Sequence, residues 1–379
     1  MKRSIFGSFL CVLCLLLAGC AGGGTRVQLP AQSEVTEKTL ADVFGEHGMK
    51  VGTCVSPWAL ENEKLESIIL SQYNSVTMEN DMKPDYILNQ QLSKAEGRLV
   101  VKFQQDTLTV LRWAKANGLS MRGHVMIWHN QTPDWIFREG FDSQGAYVGR
   151  EEMLTRMEDL ISGIFNELDR LGYLECFYAY DVVNEAWLED GSMRQTTWWE
   201  LIGDDYLWYA FYYADQYAPD TVDLYYNDYN LQYKADVIAD FIDTLVDADG
   251  RRLIDGIGFQ GHLFTSDDLD LYFDAVDKLA ETGIKLELTE VDVGLGKYQS
   301  PSQASNENLK AQGRFMYKLI HGMFERADAG KIQMDAISFW GVSDAYSWRS
   351  EYHPQLFDEE LSPKYALYGA LQIKEYAGY

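Results

Sequence analysis

The chain has 379 residues, 46% of them hydrophobic and 24% charged, with 58 acidic against 32 basic side chains and a formal charge of −26. So much apolar material excludes a disordered polyanion, and the acidic balance excludes a nucleic-acid partner, because a phosphate backbone is bound by a basic face. The length admits two or three average domains, or one large α/β barrel.

At the amino terminus, Lys2 and Arg3 precede an apolar run from Ile5 to Ala18 that ends in Leu17-Ala18-Gly19-Cys20. The run has the length of a signal-peptide core and falls short of a bilayer span. Its ending resembles a bacterial lipoprotein box, whose cysteine is lipidated after cleavage. Residues 1–19 are therefore expected to be a lipoprotein-type signal peptide, with Cys20 lipidated. The lipid would hold the protein at the cell envelope, on the bacterial outer membrane or the cell surface. An ordinary secretory signal would instead give a secreted protein. Residues 20–37 have no apolar period and read as a flexible tether. No second linker follows, so 38–379 is expected to be one domain. Cys54 and Cys176 lie in apolar, strand-like stretches and read as buried free thiols.

Eight short β-rich runs follow: Met49–Val55, Ser75–Met78, Met121–Trp128, Ala179–Val183, Val222–Tyr226, Gly256–Gln260, Lys285–Leu288 and Ala336–Trp340. They are apolar almost throughout, as strands buried on both faces should be. Between them lie helical patterns at Phe103–Asn117, Met153–Leu171, Trp198–Tyr217, Ala235–Val246, Leu269–Glu281, Leu309–Arg326 and Tyr365–Glu375. Strand–helix alternation with eight strands predicts an α/β fold, a single (β/α)8 TIM barrel with right-handed crossovers. An open doubly wound sheet is disfavoured, since no Gly-rich phosphate loop follows the first strand.

In such a barrel the chemistry sits at the carboxyl ends of the strands. The polar residues fall there: Glu79 and Asn80 after the second strand, His124 and His129 in and after the third, Asn184 and Glu185 after the fourth, and Asn227 after the fifth. Gln260 and His262 end the sixth, Glu290 and Asp292 the seventh, and Asp344 lies past the eighth. Glu290 lies 105 positions after Glu185, three units at about 35 residues each, so the two carboxyls face each other across the mouth. A facing pair of carboxyls is the machinery of glycoside hydrolysis: one gives a proton to the leaving oxygen, and the other acts ionised.

Glu290 and Asp292 are two apart on an extended segment and project to the same side. His262, on the neighbouring strand, is placed to bridge them, holding Glu290 ionised as a nucleophile. Glu185, near Trp187 and without an adjacent cation, is expected to hold its proton and serve as the acid. Most other aromatics, such as Trp198–Trp199 and Tyr209–Tyr213, read as helix packing.

The chain resembles the family-10 glycoside hydrolases, a (β/α)8 group dominated by endo-β-1,4-xylanases, from about residue 40 to 375. The motifs that carry the resemblance are Thr77–Lys83 (TMENDMK), Arg122–His129 (RGHVMIWH), Asp181–Ala186 (DVVNEA), Tyr226–Asn230 (YNDYN), Gly256–His262, Leu288–Asp292 (LTEVD) and Phe339–Asp344 (FWGVSD). The resemblance implies a retaining double displacement with Glu185 as acid/base and Glu290 as nucleophile, and with Asn184 on the sugar 2-OH. It also implies that Glu79, Asn80, Lys83, His124, Gln260, Trp128, Trp340 and Trp348 line the non-reducing side of a xylan or xylo-oligosaccharide chain, and that Tyr229 lies in the tract lining the far side. Pro84 stands where many relatives carry a Trp bordering a distal subsite. Met78 and Val291 replace a common Ala and Leu.

Other readings remain open at this stage. A β-1,4-glucanase or mixed-specificity glycanase would use the same machinery, differing in how the pocket treats the C5 hydroxymethyl. A non-catalytic surface lipoprotein that captures glycans would keep the aromatics alone. A metal hydrolase would need His124, His129, His262 and Asp292 to converge, but strand alternation is expected to point His124 and His129 to opposite faces. No metal or cofactor is expected, and a monomer suffices.

Overall fold

The computed structural model describes residues 28–379. Eight parallel strands form the barrel: β1 Lys50–Val55, β2 Ser75–Met78, β3 Ser120–Ile127, β4 Phe177–Asn184, β5 Asp223–Asp228, β6 Gly256–Phe259, β7 Lys285–Gly294 and β8 Ala336–Phe339. Each pairs with the next, and β8 closes the circle on β1, with Lys50 opposite Ala336 and Thr53 opposite Phe339. The strands are buried on both faces because a ring of helices covers the outside, so their sequences carry no period-2 alternation. One apolar core joins barrel and helices, from Leu40 and Phe44 under the floor to Leu371.

The helices that follow the strands are α1 Glu63–Gln72, α2 Gln105–Ala116, α3 Arg150–Leu171, α4 Tyr206–Tyr217, α5 Ala235–Thr244, α6 Leu269–Ala280, α7 Asn306–Asp328 and α8 Tyr365–Ala370. Three differ from the sequence reading. α1 Glu63–Gln72 is not among the expected helices; it buries only Leu65, Ile69 and Gln72, too short an apolar stripe to stand out. The pattern over Trp198–Tyr217 is broken into Thr197–Ile202 and α4, because Gly203 takes φ +107 and leaves the helical region. The final helix stops at Ala370, where Gln372 turns left-handed (φ 60), and a separate 3₁₀ turn covers Lys374–Tyr376. Trp198 packs inward as expected, its ring edge-on to Phe137 at 5.0 Å.

The tether expected over 20–37 is corrected over residues 28–37. Residues 1–27, including the signal-like run and Cys20, lie outside the described residues. From residue 28, however, the chain is fastened to the barrel. Leu29 packs on Leu295, Leu309 and Tyr365, the Tyr368 hydroxyl donates to the Pro30 carbonyl, and Gln32–Val35 forms a helical turn. The Gln32 amide oxygen accepts from Gln72 of α1 at 3.1 Å. A composition scan misses this because one leucine and a few backbone partners supply the docking. Cys54 is buried and Cys176 half-buried, both free.

The barrel interior holds charge. Arg122 of β3 donates to Asp181 of β4 at 2.5 Å and to Glu287 of β7, and its guanidinium lies 4.3 Å from the centre of the Tyr225 ring. All three charged groups are buried. Removing one partner from a buried ion pair leaves an uncompensated charge, at a cost of roughly 3–5 kcal/mol. Arg122→Met is therefore expected to lower the unfolding free energy by about that amount in a denaturant titration. A loss below about 1 kcal/mol, the value of an exposed pair, would show that the triad is not coupled.

Candidate active site

The carboxyl ends of the strands deliver the polar side chains to one pocket, and local irregularities aim them. After Phe259, Gly261 takes φ +77, a conformation open to glycine without strain. A Cβ there would also press on Val291, 3.3 Å away. The chain then resumes as a short strand, His262–Phe264, paired with β7 so that His262 stands opposite Asp292. β3 shifts register against β4 between His124 and Ile127, and Glu185 itself sits in the left-handed region at φ 57.

That strained backbone is clamped from several sides. The Glu185 N–H donates to the Asn227 carbonyl at 3.0 Å, and the Glu185 carbonyl accepts from Arg194 Nε at 2.9 Å. The Ala186 N–H donates to the Tyr226 hydroxyl at 3.0 Å, and the Trp187 carbonyl accepts from Lys234 Nζ at 3.0 Å. Lys234 is in turn paired with Asp228 at 2.7 Å, in full burial. Left-handed φ at a non-glycine persists only where such surroundings over-determine it.

Glu290 is nearly buried at 5% exposure. Its Oε1 accepts from Asn227 Nδ2 at 2.7 Å, and its Oε2 lies 3.2 Å from His262 Nε2. The other ring nitrogen, Nδ1, is 3.0 Å from Asp292 Oδ1, so His262 bridges the two carboxylates as expected. Asp292 is fixed by Arg349 Nη1 at 2.6 Å and by the Trp348 indole N–H at 3.1 Å. Burial alone would push the Glu290 carboxyl up. The His262 hydrogen bond, the charges of His124 and His262 and the Asn227 amide outweigh it and hold the group down at about 2. Burial disfavours the His262 cation, but Asp292 and Glu290 reverse that and raise it to about 9.

Glu185 faces this group through a chain of amides. Gln260 Nε2 donates to Glu185 Oε1 at 3.0 Å and to Asn184 Oδ1 at 3.2 Å. Asn227 Nδ2 donates to the same Asn184 oxygen at 3.1 Å as well as to Glu290. Asn184 Nδ2 donates to Glu185 Oε1 at 3.3 Å. Three amide side chains thus join the two carboxyls into one network. The expected cation-free surroundings of Glu185 are corrected by Arg194, which holds its main-chain carbonyl, while His129 Nε2 lies 3.9 Å from its Oε2. Burial and Arg194 keep the His129 ring below its ordinary value against the pull of Glu185, so the ring is held neutral beside that carboxyl at neutral pH.

His129 also corrects the alternation argument. The strand ends at Ile127 after its bulge, so His124 and His129 both turn to the pocket. His124 Nδ1 lies 2.9 Å from Asp181 and 4.0 Å from Glu290. They still form no ligand set with His262 and Asp292. Among the described residues, the one group of His, Cys, Asp and Glu whose ligand atoms all lie within 4.8 Å of one another is Asp344, His353 and Glu359. There the Lys364 ammonium already stands 2.8 Å from Asp344.

One arm of the cleft gathers most of the remaining predicted residues. Lys83 Nζ donates to Asn80 at 3.1 Å and to Gln131 at 2.7 Å, and lies 5.0 Å from the centre of the Trp128 ring. Glu79 accepts from Ser56 Oγ at 2.9 Å. Trp340 meets His124 edge-on at 5.3 Å, and Trp348, 58% exposed, meets His262 at 5.0 Å. Tyr229 lies apart on the Glu185 side, where its hydroxyl accepts from Arg194 at 3.0 Å and its ring centre lies 4.1 Å from Lys234 Nζ. Sequence reasoning noted Asn227 only as a strand-end residue and passed over Arg349, Arg194 and Gln131. Asn227 was recoverable from its place at the end of β5; Arg349, 57 positions after its partner Asp292, had no local signal.

The pair Glu290 and His262 carries a pH signature. A carboxyl lowered from 4.5 to about 2 contributes stability that is complete above 4.5 and is lost as pH falls through 2. A histidine raised from 6.5 to about 9 contributes stability complete below 6.5 and lost as pH rises through 9. Their joint contribution is therefore fullest between 4.5 and 6.5. His262→Asn, followed by carbon NMR of the Glu290 carboxyl, should show its midpoint rising by about one unit or more. An unmoved midpoint would mean that His262 does not hold the charge.

With this geometry in view, comparison with known proteins is specific. The sequence model of glycosyl hydrolase family 10 matches residues 39–373. The chain is 36% identical over 335 residues to the bifunctional endo-1,4-beta-xylanase XylA of Ruminococcus flavefaciens, covering 86% of this chain and 33% of that protein. It is 32% identical over 351 residues to an endo-1,4-beta-xylanase of Geobacillus stearothermophilus, covering 88% of this chain and 98% of that one. Several curated relatives are longer; the chain spans about half of endo-1,4-beta-xylanase B of Butyrivibrio fibrisolvens. Among solved structures, the CBM22-1–GH10 modules of a Clostridium thermocellum xylanase complexed with xylohexaose superpose with a TM-score of 0.80 at 29% identity, covering 90% of this chain and 68% of that one. A Thermoanaerobacterium saccharolyticum xylanase mutant complexed with xylotetraose gives 0.76 at 29% identity, covering 88% and 98%. The match runs through the barrel and every strand that feeds the pocket, and the chain belongs to glycosyl hydrolase family 10.

Proposed function

We propose that the chain is an endo-β-1,4-xylanase that cleaves xylan with retention of anomeric configuration. The observation that carries this reading is the buried Glu290 carboxylate, kept ionised by His262 and Asn227 and joined to Glu185 through Gln260 and Asn184. Relatives bearing the xylanase name and solved relatives holding xylo-oligosaccharides support the substrate class.

In the first step Glu290 attacks the anomeric carbon while Glu185 gives its proton to the departing glycosidic oxygen. The C–O bond to the leaving sugar breaks as the carboxylate–carbon bond forms. In the second step Glu185, now ionised, takes a proton from water, and the resulting oxygen displaces Glu290, restoring both groups. Asn184, set between the two carboxyls, is placed to bond the sugar 2-OH as positive charge develops on the ring. His129, neutral beside Glu185, does not repel the proton that this group must regain. Trp128, Trp340 and Trp348 offer apolar faces to pyranose C–H surfaces, while Glu79, Asn80, Lys83 and Gln260 meet the hydroxyls. Tyr229 would border the leaving side.

We propose in addition that Cys20 is acylated and that the short segment between it and the docked residue Leu29 holds the barrel close to the envelope surface. Two acyl-type anchors or more give firm membrane attachment. Cys20→Ser should move the protein from the membrane fraction to the soluble fraction, and unchanged membrane retention would refute the acylation.

For the chemistry, the wild type should release reducing sugar from xylan in excess of cellulose, and NMR should show the β-anomer first. Initial release of the α-anomer would rule out double displacement. Glu290→Ala should abolish turnover. Glu185→Gln should reduce activity on xylan about 10²–10⁴-fold, the range of a general acid, yet spare glycosylation by activated aryl glycosides. Equal losses on both substrates would remove the acid role from Glu185.

A further inference from the structure

We infer that Trp58 and Tyr346 form a further sugar platform at the outer end of the Glu79 arm, an inference that rests on the glycanase reading above. Trp58 lies on the 3₁₀ turn Pro57–Glu61 directly after β1, and Tyr346 on the turn Asp344–Tyr346 after β8. Because β8 closes the barrel on β1, residues nearly 290 positions apart meet at the rim. Their ring centres are 4.7 Å apart, with planes tilted by 48°. The rings are not laid flat on each other, and they remain 43% and 44% exposed. An aromatic pair that served only to pack two loops would bury most of that surface.

The pair borders a shallow depression lined also by Ser56, Glu79, Gly341 and Ser343, with the apolar side chains of Val55, Leu65, Ile69 and Val342 among the rest of its lining. Two of those residues tie it to the cleft. Glu79, bonded to Ser56 at 2.9 Å, is one of the predicted subsite residues, and Gly341 directly follows Trp340, whose ring meets His124. The Trp58–Tyr346 pair thus shares one wall with Glu79 and adjoins Trp340 through Gly341. On the same arm, Pro84 is buried at the first turn of the helix Pro84–Ile87 and presents no aromatic face.

An exposed aromatic face with a few hydroxyl and carboxylate groups beside it suits a pyranose ring, stacked by its C–H face and bonded by its hydroxyls. Glu79 on the wall and Glu61 at the end of the Trp58 turn disfavour a uronosyl branch in this position. The ligand class is thus a neutral sugar unit of the main chain, one more xylosyl residue on the non-reducing side.

The test compares kcat/KM on xylohexaose with kcat/KM on an aryl β-xylobioside, which is too short to reach the rim. In Trp58→Ala the hexaose-to-aryl ratio should fall about five- to tenfold, mostly through KM, the size expected for losing one aromatic–sugar contact. Tyr346→Ala should lower it less, and Trp58→Phe, which keeps a ring, should retain most of it. Thermal midpoints taken alongside separate binding from folding, and Tyr346→Ala carries the test by itself should Trp58→Ala not fold. A ratio unchanged within about twofold in both alanine variants overturns the platform. Absence of any cleavage of xylohexaose by the wild type would instead overturn the glycanase reading, so the two failures are distinguishable.

Discussion

The active end of this barrel is organised around one demand: an ionised carboxylate, Glu290, almost out of reach of water. An isolated carboxylate in that position would take up a proton, because burial penalises charge far more than one hydrogen bond repays. The structure meets the demand with a cation of its own. His262 lies between Glu290 and Asp292, and Asp292 is in turn held by Arg349 and Trp348. Asn227 and the charge of His124 add to this support. The bend at Gly261 and the extra turn of pairing along β7 exist, in physical terms, to set that imidazole where both acids can be reached.

The second carboxyl is treated differently. Glu185 is half-buried, sits on a left-handed backbone and is touched by a neutral imidazole and an amide. Its position is secured by its main chain, through Asn227, Arg194, Tyr226 and the buried Asp228–Lys234 pair. Thus one acid is fixed by what surrounds its charge and the other by what surrounds its backbone.

Much of this was legible in the chain. Seven of the eight barrel strands lie within about two residues of their predicted spans, since a run buried on both faces is apolar throughout and is bounded by turn residues. The seventh runs on from Leu288 to Gly294, through the polar residues Thr289, Glu290 and Asp292 that interrupt the apolar pattern. The acids at 185 and 290 could be paired from spacing, because a barrel of eight equal units converts sequence distance into angle. Boundaries failed where a single dihedral decided them, as at Gly203 and Gln372. The charged barrel interior was missed because Arg122, Asp181 and Glu287 each look like an isolated polar residue until three strands bring them together. His124 and His129 were assigned opposite faces because alternation assumes an unbroken strand, and a bulge breaks it.

The sequence by itself determined the architecture, the end of the barrel that carries chemistry and the two acids, because these follow from periodicity and from the order of residues along each strand. Only the tertiary structure decided which groups hold those acids in place. Arg349, Arg194 and Asn227 act across elements far apart in the chain, and a hydrogen bond or a desolvation cost depends on ångström distances that no local pattern encodes. The same holds at the rim, where closure of β8 on β1 brings Trp58 and Tyr346 side by side.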